Sequence, residues 1–324
     1  MDDPKNLWVV PHVRIQNANA ISGNLTWGFP AMSAFIGLMH ALERKARASG
    51  MRILFDGIGV VCHHHEAQVS RNGYVYNFNL TRNPVDKSGA TAAIVEEGRI
   101  HLEVTLVFAI RGADVGDSED ARAERAKQLM ALLEPMRVAG GIIVSSPQSR
   151  KRNRPWISPI MEDADEQYKQ FLSLRRRLMP GFALVLRDDL LQQHHQDMMD
   201  KDPDATTLDA WLDLSRLNMI CEQREDDSFE WIARRKPGWL VPIPIGYSAL
   251  TDVYQPGQVE RARDSTTPFR FVESLYSIGE WVSPHRLKQP RDLLWFVDND
   301  LDKGIYRLNN RKYEQQHSLQ KQEQ

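Results

Sequence analysis

The hydrophobic positions of the first 146 residues predict strands and helices in alternation. Apolar runs and period-two alternation indicate strands, and apolar positions three and four residues apart indicate helices. The elements are a strand at 7–15, a helix at 31–48, a strand at 53–62, a hairpin at 66–80, a strand at 100–110, a helix at 119–133 and a strand at 138–145. This order, with an insertion around 79–99, is typical of a ferredoxin-like or RRM-like α+β domain.

The rest of the chain is less regular, with Pro and Gly frequent between its short elements. We predict helices at 163–178, 188–199 and 207–219 and strands at 239–245, 269–277 and 293–297. Residues 147–313 are therefore interpreted as an irregular C-terminal elaboration or a second lobe. The Gln-rich, charged segment 314–324 has little to bury, which predicts a disordered tail.

Composition narrows the class of protein. With 324 residues and 42% hydrophobic content the chain can bury a large core. Its two cysteines, Cys62 and Cys221, fit neither a metal motif nor a disulfide framework, so we expect a reducing, cytoplasmic location. No apolar run approaches the roughly 20 residues of a membrane span, and no secretory signal segment is apparent.

The charge pattern bears on nucleic-acid binding. A formal net charge of −2 argues against a protein that coats nucleic acid through bulk charge. Basic residues nevertheless cluster at 150–154, 175–177 and 234–236, apart from the acidic clusters. Such clusters predict either local basic contacts or solvated surfaces.

The polar segment after the first strand offers the clearest candidate site. It carries the carboxamides of Gln16, Asn17 and Asn19, followed by the rings of Trp27 and Phe29 at the start of a helix. Carboxamides can bind base edges or sugars, and rings can stack on splayed bases. Alternatively, the amides only cap the turn and the rings pack beneath it.

Sequence motifs along almost the whole chain are shared with one family. The chain resembles the crRNA 5′-handle-binding subunits of type I-F CRISPR surveillance (Csy) complexes in the segments at 15–21, 25–30, 35–42, 78–84, 91–99, 136–141, 180–185, 236–244, 271–275 and 280–286. The resemblance implies a noncatalytic RAMP subunit that caps the 5′ handle of crRNA. It also implies docking to the large PAM-reading subunit and to the first backbone subunit of the filament, with target DNA reached mainly through the complex.

In this family the insertion around 79–99 resembles a thumb that wedges between guide nucleotides. The resemblance implies that Arg82 and Arg99 contact phosphate and that Asn83 contacts a sugar or base, with Asn79 beside them. A structural loop with solvated arginines is the alternative.

Three further residues form a second candidate contact. Arg137 can neutralise a phosphate that approaches the backbone at Gly140 and Gly141, although a plain tight turn explains the same residues. For contact with a neighbouring subunit, or for the core, we single out Trp239, Trp281 and His285.

Catalytic and metal sites are weakly indicated. Of the adjacent residues His63, His64 and His65, at most two can converge, because successive strand residues point to opposite faces. Acid–base cleavage of RNA could use His12, His40, His101 or His285, but none has a partner at an informative spacing. We predict no enzymatic activity, metal or cofactor. The alternatives are a metal-independent endoribonuclease acting on CRISPR repeat RNA and a docking scaffold with incidental RNA contacts.

Overall fold

The computed structural model describes residues 4–82, 85, 87–91, 94–144, 153–224, 227–234, 236, 238–262 and 264–310. The chain divides into two compact units. Unit 1 consists of Met1–Val185 and Trp281–Trp295, and unit 2 of Leu186–Glu280 and Phe296–Gln324. The predicted boundary between residues 146 and 147 and the predicted tail 314–324 lie outside the described residues, so both stay predictions.

Unit 1 contains most of the elements predicted for the N-terminal domain, and their bounds agree closely with the pattern. In chain order they are β1 (Asn6–Asn19), β2 (Ile21–Gly23), β3 (Thr26–Trp27), α1 (Met32–Ala48), β4 (Leu54–Ala67), β5 (Val69–Asn72), β6 (Val75–Phe78), β7 (Leu80–Arg82), β8 (Ile94–Glu96), β9 (Arg99–Arg111), α2 (Glu119–Leu133), β10 (Arg137–Val138), β11 (Gly141–Val144), β12 (Trp156–Pro159), α3 (Ala164–Arg177) and β13 (Phe182–Leu186). Helices with an antiparallel sheet confirm the α+β class.

The sheet of unit 1 is antiparallel, with its strands in the order β10, β11, β1, β9, β4 and β13, and with β12 also paired to β1. Strand β9 pairs with β1 along one edge and with β4 along the other. Both pairings contain register shifts, at Val10/Val13 and Ile15/Ala18 in β1 and at Cys62/His64 in β4. The insertion between β4 and β9 forms two hairpins, β5–β6 and β7–β8.

A group of packed aromatic rings lies in the core of unit 1. Fully buried Trp8 stacks on Phe108 with ring centroids 4.9 Å apart and meets the edge of Phe55 at 6.4 Å. Helix α1 packs on β4 and α2. Its buried positions follow the three- and four-residue spacing of an amphipathic helix: Met32, Phe35, Ile36, Met39 and Leu42.

Some predicted elements were wrong in detail. The helix predicted at 31–48 begins one residue later, at Met32, and Ala31 is its N-cap. Residues 138–145 were predicted as one strand after a Gly pair, whereas Gly140 lies in the turn of the β10–β11 hairpin and Gly141 begins β11. The helix predicted at 207–219 ends earlier, at Ser215, because Met219 is already the first residue of the β14–β15 hairpin (Met219–Gln223 and Phe229–Ala233).

Among its described residues, unit 2 contains two helices and four neighbouring antiparallel strands of the large sheet. Its elements are α4 (Asp188–Met199), α5 (Thr207–Ser215), β14 (Met219–Gln223), β15 (Phe229–Ala233), β16 (Leu240–Ala249), β17 (Val272–Val282), β18 (Phe296–Asp300) and β19 (Ile305–Asn309). Strands β17, β16, β19 and β18 are neighbours in that order. The predicted strand at 293–297 begins later, at Phe296, because residues 290–292 form a short 3-10 helix.

A buried ion cluster stabilises unit 2. Arg187 pairs with Asp189 at 2.8 Å and with Glu280, and only 5% of Arg187 and 2% of Glu280 are exposed. Burial opposes the charge of Arg187, but the hydrogen bonds and charges of its two acidic partners outweigh burial and raise its pKa. The cluster therefore depends on each partner remaining in place.

No described helix combines the length and the apolar character that crossing a membrane requires.

We expect Glu280→Gln to lower the free energy of unfolding by about 3 kcal/mol, because Arg187 stays buried and loses one charged partner. Urea unfolding at pH 7 measures the change. The exposed Glu260 provides the control, since Glu260→Gln should change stability by less than about 0.5 kcal/mol. Equal stabilities of the two variants would contradict the assignment.

Candidate nucleic-acid interface

The end of β1 is held in an unusual backbone conformation. Asn17 lies in the second register shift of β1 and has a φ of 56°. Its N–H donates to Nδ1 of His101 on β9, at 3.1 Å. Since a non-glycine residue at positive φ is strained, this bond helps to fix an exposed carboxamide at the exit of β1.

Arg99 joins the insertion to this exit. Its guanidinium pairs with Glu97, and Nη1 donates to the carbonyl oxygen of Asn17 at 3.4 Å. The hydrogen bond from Arg99 is the main reason that the pKa of Glu97 is lowered, with a further bond from Thr81. Because a guanidinium has five N–H groups, Arg99 retains donor capacity for a phosphate.

An exposed ring lies beside these groups. Trp27 is 56% exposed, and its ring meets Phe78 of the insertion edge to face, with centroids 5.4 Å apart. Ile21 and Phe78 pack closely against the backbone of Gly98, since a Cβ at this position would lie 2.7 Å from Cγ1 of Ile21 and 3.2 Å from the ring of Phe78. Trp27 thus offers exposed ring surface to a base while its edge contact keeps it in place.

Phe29 occupies a different environment. It is half-buried, stacks on Phe35 with centroids 5.6 Å apart, and meets Trp281 edge to face at 4.9 Å. Of the two roles open to it from sequence, stacking or support, this packing favours support. Trp281, predicted to lie in the core or at a subunit contact, packs within unit 1.

The carboxamides differ in availability. Asn19 uses both ends of its amide on the backbone of Ile21, at 2.8 and 3.0 Å, which closes the turn after β1. Asn79 accepts a hydrogen bond from Ser70 at 2.6 Å within the insertion. Gln16 is exposed on β1. Gln16 and Asn17 are therefore the amides most open to a ligand.

The second candidate contact is a tight hairpin turn. Ala139 and Gly140 have φ values of 48° and 79°, as the two central residues of a type I′ turn require. Arg137 donates to the carbonyl oxygen of Gly140 at 3.2 Å. A Cβ at Gly141 would lie 2.8 Å from the backbone of β1, so close strand packing explains this glycine. Contact of these residues with RNA stays a prediction.

The remaining candidates are spread over the molecule. Arg82 ends β7, but its side chain, like the whole of Asn83, lies outside the described residues. In unit 2, Trp239 is 51% exposed. His285 belongs to unit 1, where its Nδ1 lies 2.8 Å from Oγ of Ser283.

Sequence reasoning missed the residues that link the two segments. His101 was considered only as a catalytic candidate, yet its Nδ1 accepts from Asn17 and its Nε2 lies 2.6 Å from the amide of Gln68. Phe78 was noted only as part of a shared motif. The alignment of β9 with β1, which pairs Asn19 with Arg99, would have revealed the contact between His101 and Asn17.

The histidines do not form a metal site. His63 hydrogen bonds to Thr105 at 2.7 Å and to the carbonyl oxygen of Pro180 at 2.6 Å, whereas His64 and His65 are exposed. Within the described residues, no three His, Cys, Asp or Glu side chains are arranged to hold a metal ion.

We expect Gly98→Ala to lower the free energy of unfolding by about 1–3 kcal/mol, because the added methyl overpacks the junction at Ile21 and Phe78. Urea unfolding tests this. The control is Gly37→Ala on α1, where a Cβ meets no atom within 4 Å. Alanine should stabilise that exposed helical position by up to about 1 kcal/mol. A Gly98→Ala variant as stable as wild type would contradict this prediction, because Ile21 and Phe78 would then move aside without cost.

Comparison with known proteins identifies the family. The family model described as CRISPR-associated protein (Cas_Csy2) matches residues 8–308. A protein of Pseudomonas aeruginosa (strain UCBPP-PA14) described as CRISPR-associated protein Csy2 is 47% identical over 320 residues, which cover 96% of this chain and 97% of that protein. These matches confirm the family indicated by the sequence motifs, and the chain belongs to the Csy2 family of CRISPR-associated proteins.

Proposed function

We propose that this chain is a noncatalytic subunit of a type I-F CRISPR surveillance (Csy) complex and that it binds and caps the 5′ handle of crRNA. Family membership supports a place in that complex. In such an assembly, base pairing with the guide reads the target sequence, and protein subunits hold the guide.

The observation that carries the RNA-binding proposal is the junction between the β1 exit and the insertion. Asn17, Trp27 and Arg99 come from three separate segments. Arg99 donates a hydrogen bond to the carbonyl oxygen of Asn17. The ring of Trp27 meets Phe78, which in turn lies close to Gly98, the residue before Arg99. An amide, an exposed indole and a guanidinium together supply what a single-stranded RNA end needs: edge or sugar contacts, stacking and charge.

We further propose that the N-terminal part of unit 1 is a ferredoxin-like, RRM-like (RAMP) domain whose insertion is the thumb. The chain order β1, α1, β4, β9, α2 and β11, with β11, β1, β9 and β4 adjacent in an antiparallel sheet, supports it. The thumb would be the insertion around 79–99, which includes the hairpin β7–β8.

Docking to the large PAM-reading subunit and to the first backbone subunit belongs to the same proposal. The exposed ring of Trp239 and the exposed His285 are the described residues that we assign to such contacts. Large aromatic side chains are frequent anchors of protein interfaces.

We expect Trp27→Ala to weaken guide binding by about 1–3 kcal/mol with little dependence on salt, because a stacked base loses its platform. Arg99→Gln should instead lower the slope of log affinity against log salt by about 0.7, and Arg82→Gln together with Arg99→Gln by about 1.4. Fluorescence anisotropy with labelled handle RNA, measured at several salt concentrations in the assembled complex, separates the two effects.

Matched controls exist for both changes. Trp231 is 66% exposed in unit 2, and Trp231→Ala should leave RNA affinity unchanged. Arg47 pairs with Glu43 on α1 as Arg99 pairs with Glu97, so Arg47→Gln removes an ion-paired arginine away from the junction. Wild-type affinity and salt slope in both Trp27→Ala and the double arginine variant would refute the proposed contacts.

We expect no site-specific cleavage of CRISPR repeat RNA by the purified chain. Two of the histidines that could serve acid–base cleavage are engaged in hydrogen bonds within the fold: His101 with Asn17 and Gln68, and His285 with Ser283. Gel analysis of end-labelled repeat RNA tests the expectation. Cleavage at one position that is abolished by His12→Ala, His40→Ala, His101→Ala or His285→Ala would establish the endoribonuclease alternative.

A further inference from the structure

A cavity of about 210 Å³ in unit 1 lies apart from the proposed RNA junction. His12 and Thr105 line it from the sheet, and Trp156, Arg176 and Arg177 line it from the segment that includes α3. His12 precedes Asn17 by five residues on β1, which corresponds to about 17 Å along an extended strand. The cavity is thus a separate place in the fold.

Two strand irregularities lie at this cavity, because His12 lines it and His63 contacts its lining residues Thr105 and Pro180. Pro11 and His12 lie in the first register shift of β1, and His63 lies in the register shift of β4. The rings of His12 and His63 stack with centroids 4.5 Å apart, and Thr105 hydrogen bonds to the backbone N–H of His12 and to His63. β-Bulges of this kind frequently re-aim side chains at functional sites.

The orientation of His12 is fixed by several contacts. Its φ of 52° is strained for a non-glycine residue, and Nδ1 lies 2.8 Å from Oε1 of Glu103. Burial opposes ionisation of Glu103, but the hydrogen bond and charge of His12, with the charges of Arg14 and His63, outweigh it and lower its pKa. The ionised Glu103 accepts the Nδ1 proton of His12, which leaves Nε2 as the ring nitrogen available to a ligand.

Two arginines at the end of α3 supply positive charge. The guanidinium of Arg177 lies over the ring of Trp156, 3.4 Å from its centroid, and partial burial lowers the pKa of Arg177. The neighbouring Arg175 serves the fold instead, donating to the carbonyl oxygens of His285 and Leu287 at 2.9 and 2.6 Å. Among the described residues that line the cavity, none is acidic.

We propose that this cavity is a binding site for a single phosphate group. Its volume is below the roughly 300–1,000 Å³ typical of sites that enclose a drug-sized molecule, so it fits one group and not a whole cofactor. Two arginine residues line the cavity beside the polar side chains of His12 and Thr105, and this lining matches the charge of a phosphate better than that of a monovalent carboxylate. The phosphate is free or belongs to a nucleotide strand, and the site goes beyond the proposed handle contacts.

Equilibrium dialysis with radiolabelled inorganic phosphate tests this on the full-length chain. Wild type and variants are prepared in the same guide-free assembly, and the ionic strength is held constant with chloride. We expect saturable binding by wild type and at least about tenfold weaker binding by Arg177→Gln, since a charge-assisted hydrogen bond is lost. The exposed Arg44 on α1 provides the control, and Arg44→Gln should bind like wild type.

Two additions make the result decisive. Arg176 is exposed, so Arg176→Gln tests the site even where Arg177→Gln does not fold. Unlabelled handle RNA that displaces the phosphate identifies a strand as its source, whereas handle RNA that leaves the phosphate bound identifies free phosphate. The proposal is overturned by absence of saturable wild-type binding below about 10 mM. Wild-type binding by every folded arginine variant would also overturn it. The Trp27 and Arg99 variants test handle binding at the junction, whereas the Arg176 and Arg177 variants test phosphate binding in the cavity. Either proposal can therefore fail without the other.

Discussion

The pairing of β9 along both of its edges is the constraint on which unit 1 depends. Thirteen residues, Arg99–Arg111, hydrogen bond to β1 on one side and to β4 on the other. The strand is buried through most of its length, so a slip by one residue would turn its apolar face outward. Its alignment therefore fixes at once where Arg99, His101, Glu103 and Thr105 lie.

The elements with one buried face were predictable from the sequence, whereas the irregularities within the strands were not. Strands and helices with a buried face follow from hydrophobic periodicity alone, and α2 matched its predicted bounds of 119–133. The register shifts around His12 and His63 insert extra residues without disturbing the apolar pattern, so periodicity does not reveal them. Phe29 shows the same limit, because a half-buried ring and a stacking platform have the same local sequence.

The residue types of the candidate site were predictable from the sequence, but the contacts between them were not. Amides, rings and arginines marked the two segments, and the structure links them through a hydrogen bond between residues 82 positions apart, Arg99 and Asn17. Arg99 is neutralised in part by Glu97, which no count of basic residues indicates.

The same strands carry two polar places with different electrostatics. At the β1 exit Arg99 shares its charge with Glu97, whereas at the end of α3 partial burial lowers the pKa of Arg177. An anion that approaches Arg99 competes with a carboxylate already in place. An anion at Arg177 meets no acidic side chain among the described residues that line the cavity. Because β1 and β9 hold both places in register, only substitutions that leave the strand pairing intact can separate their contributions.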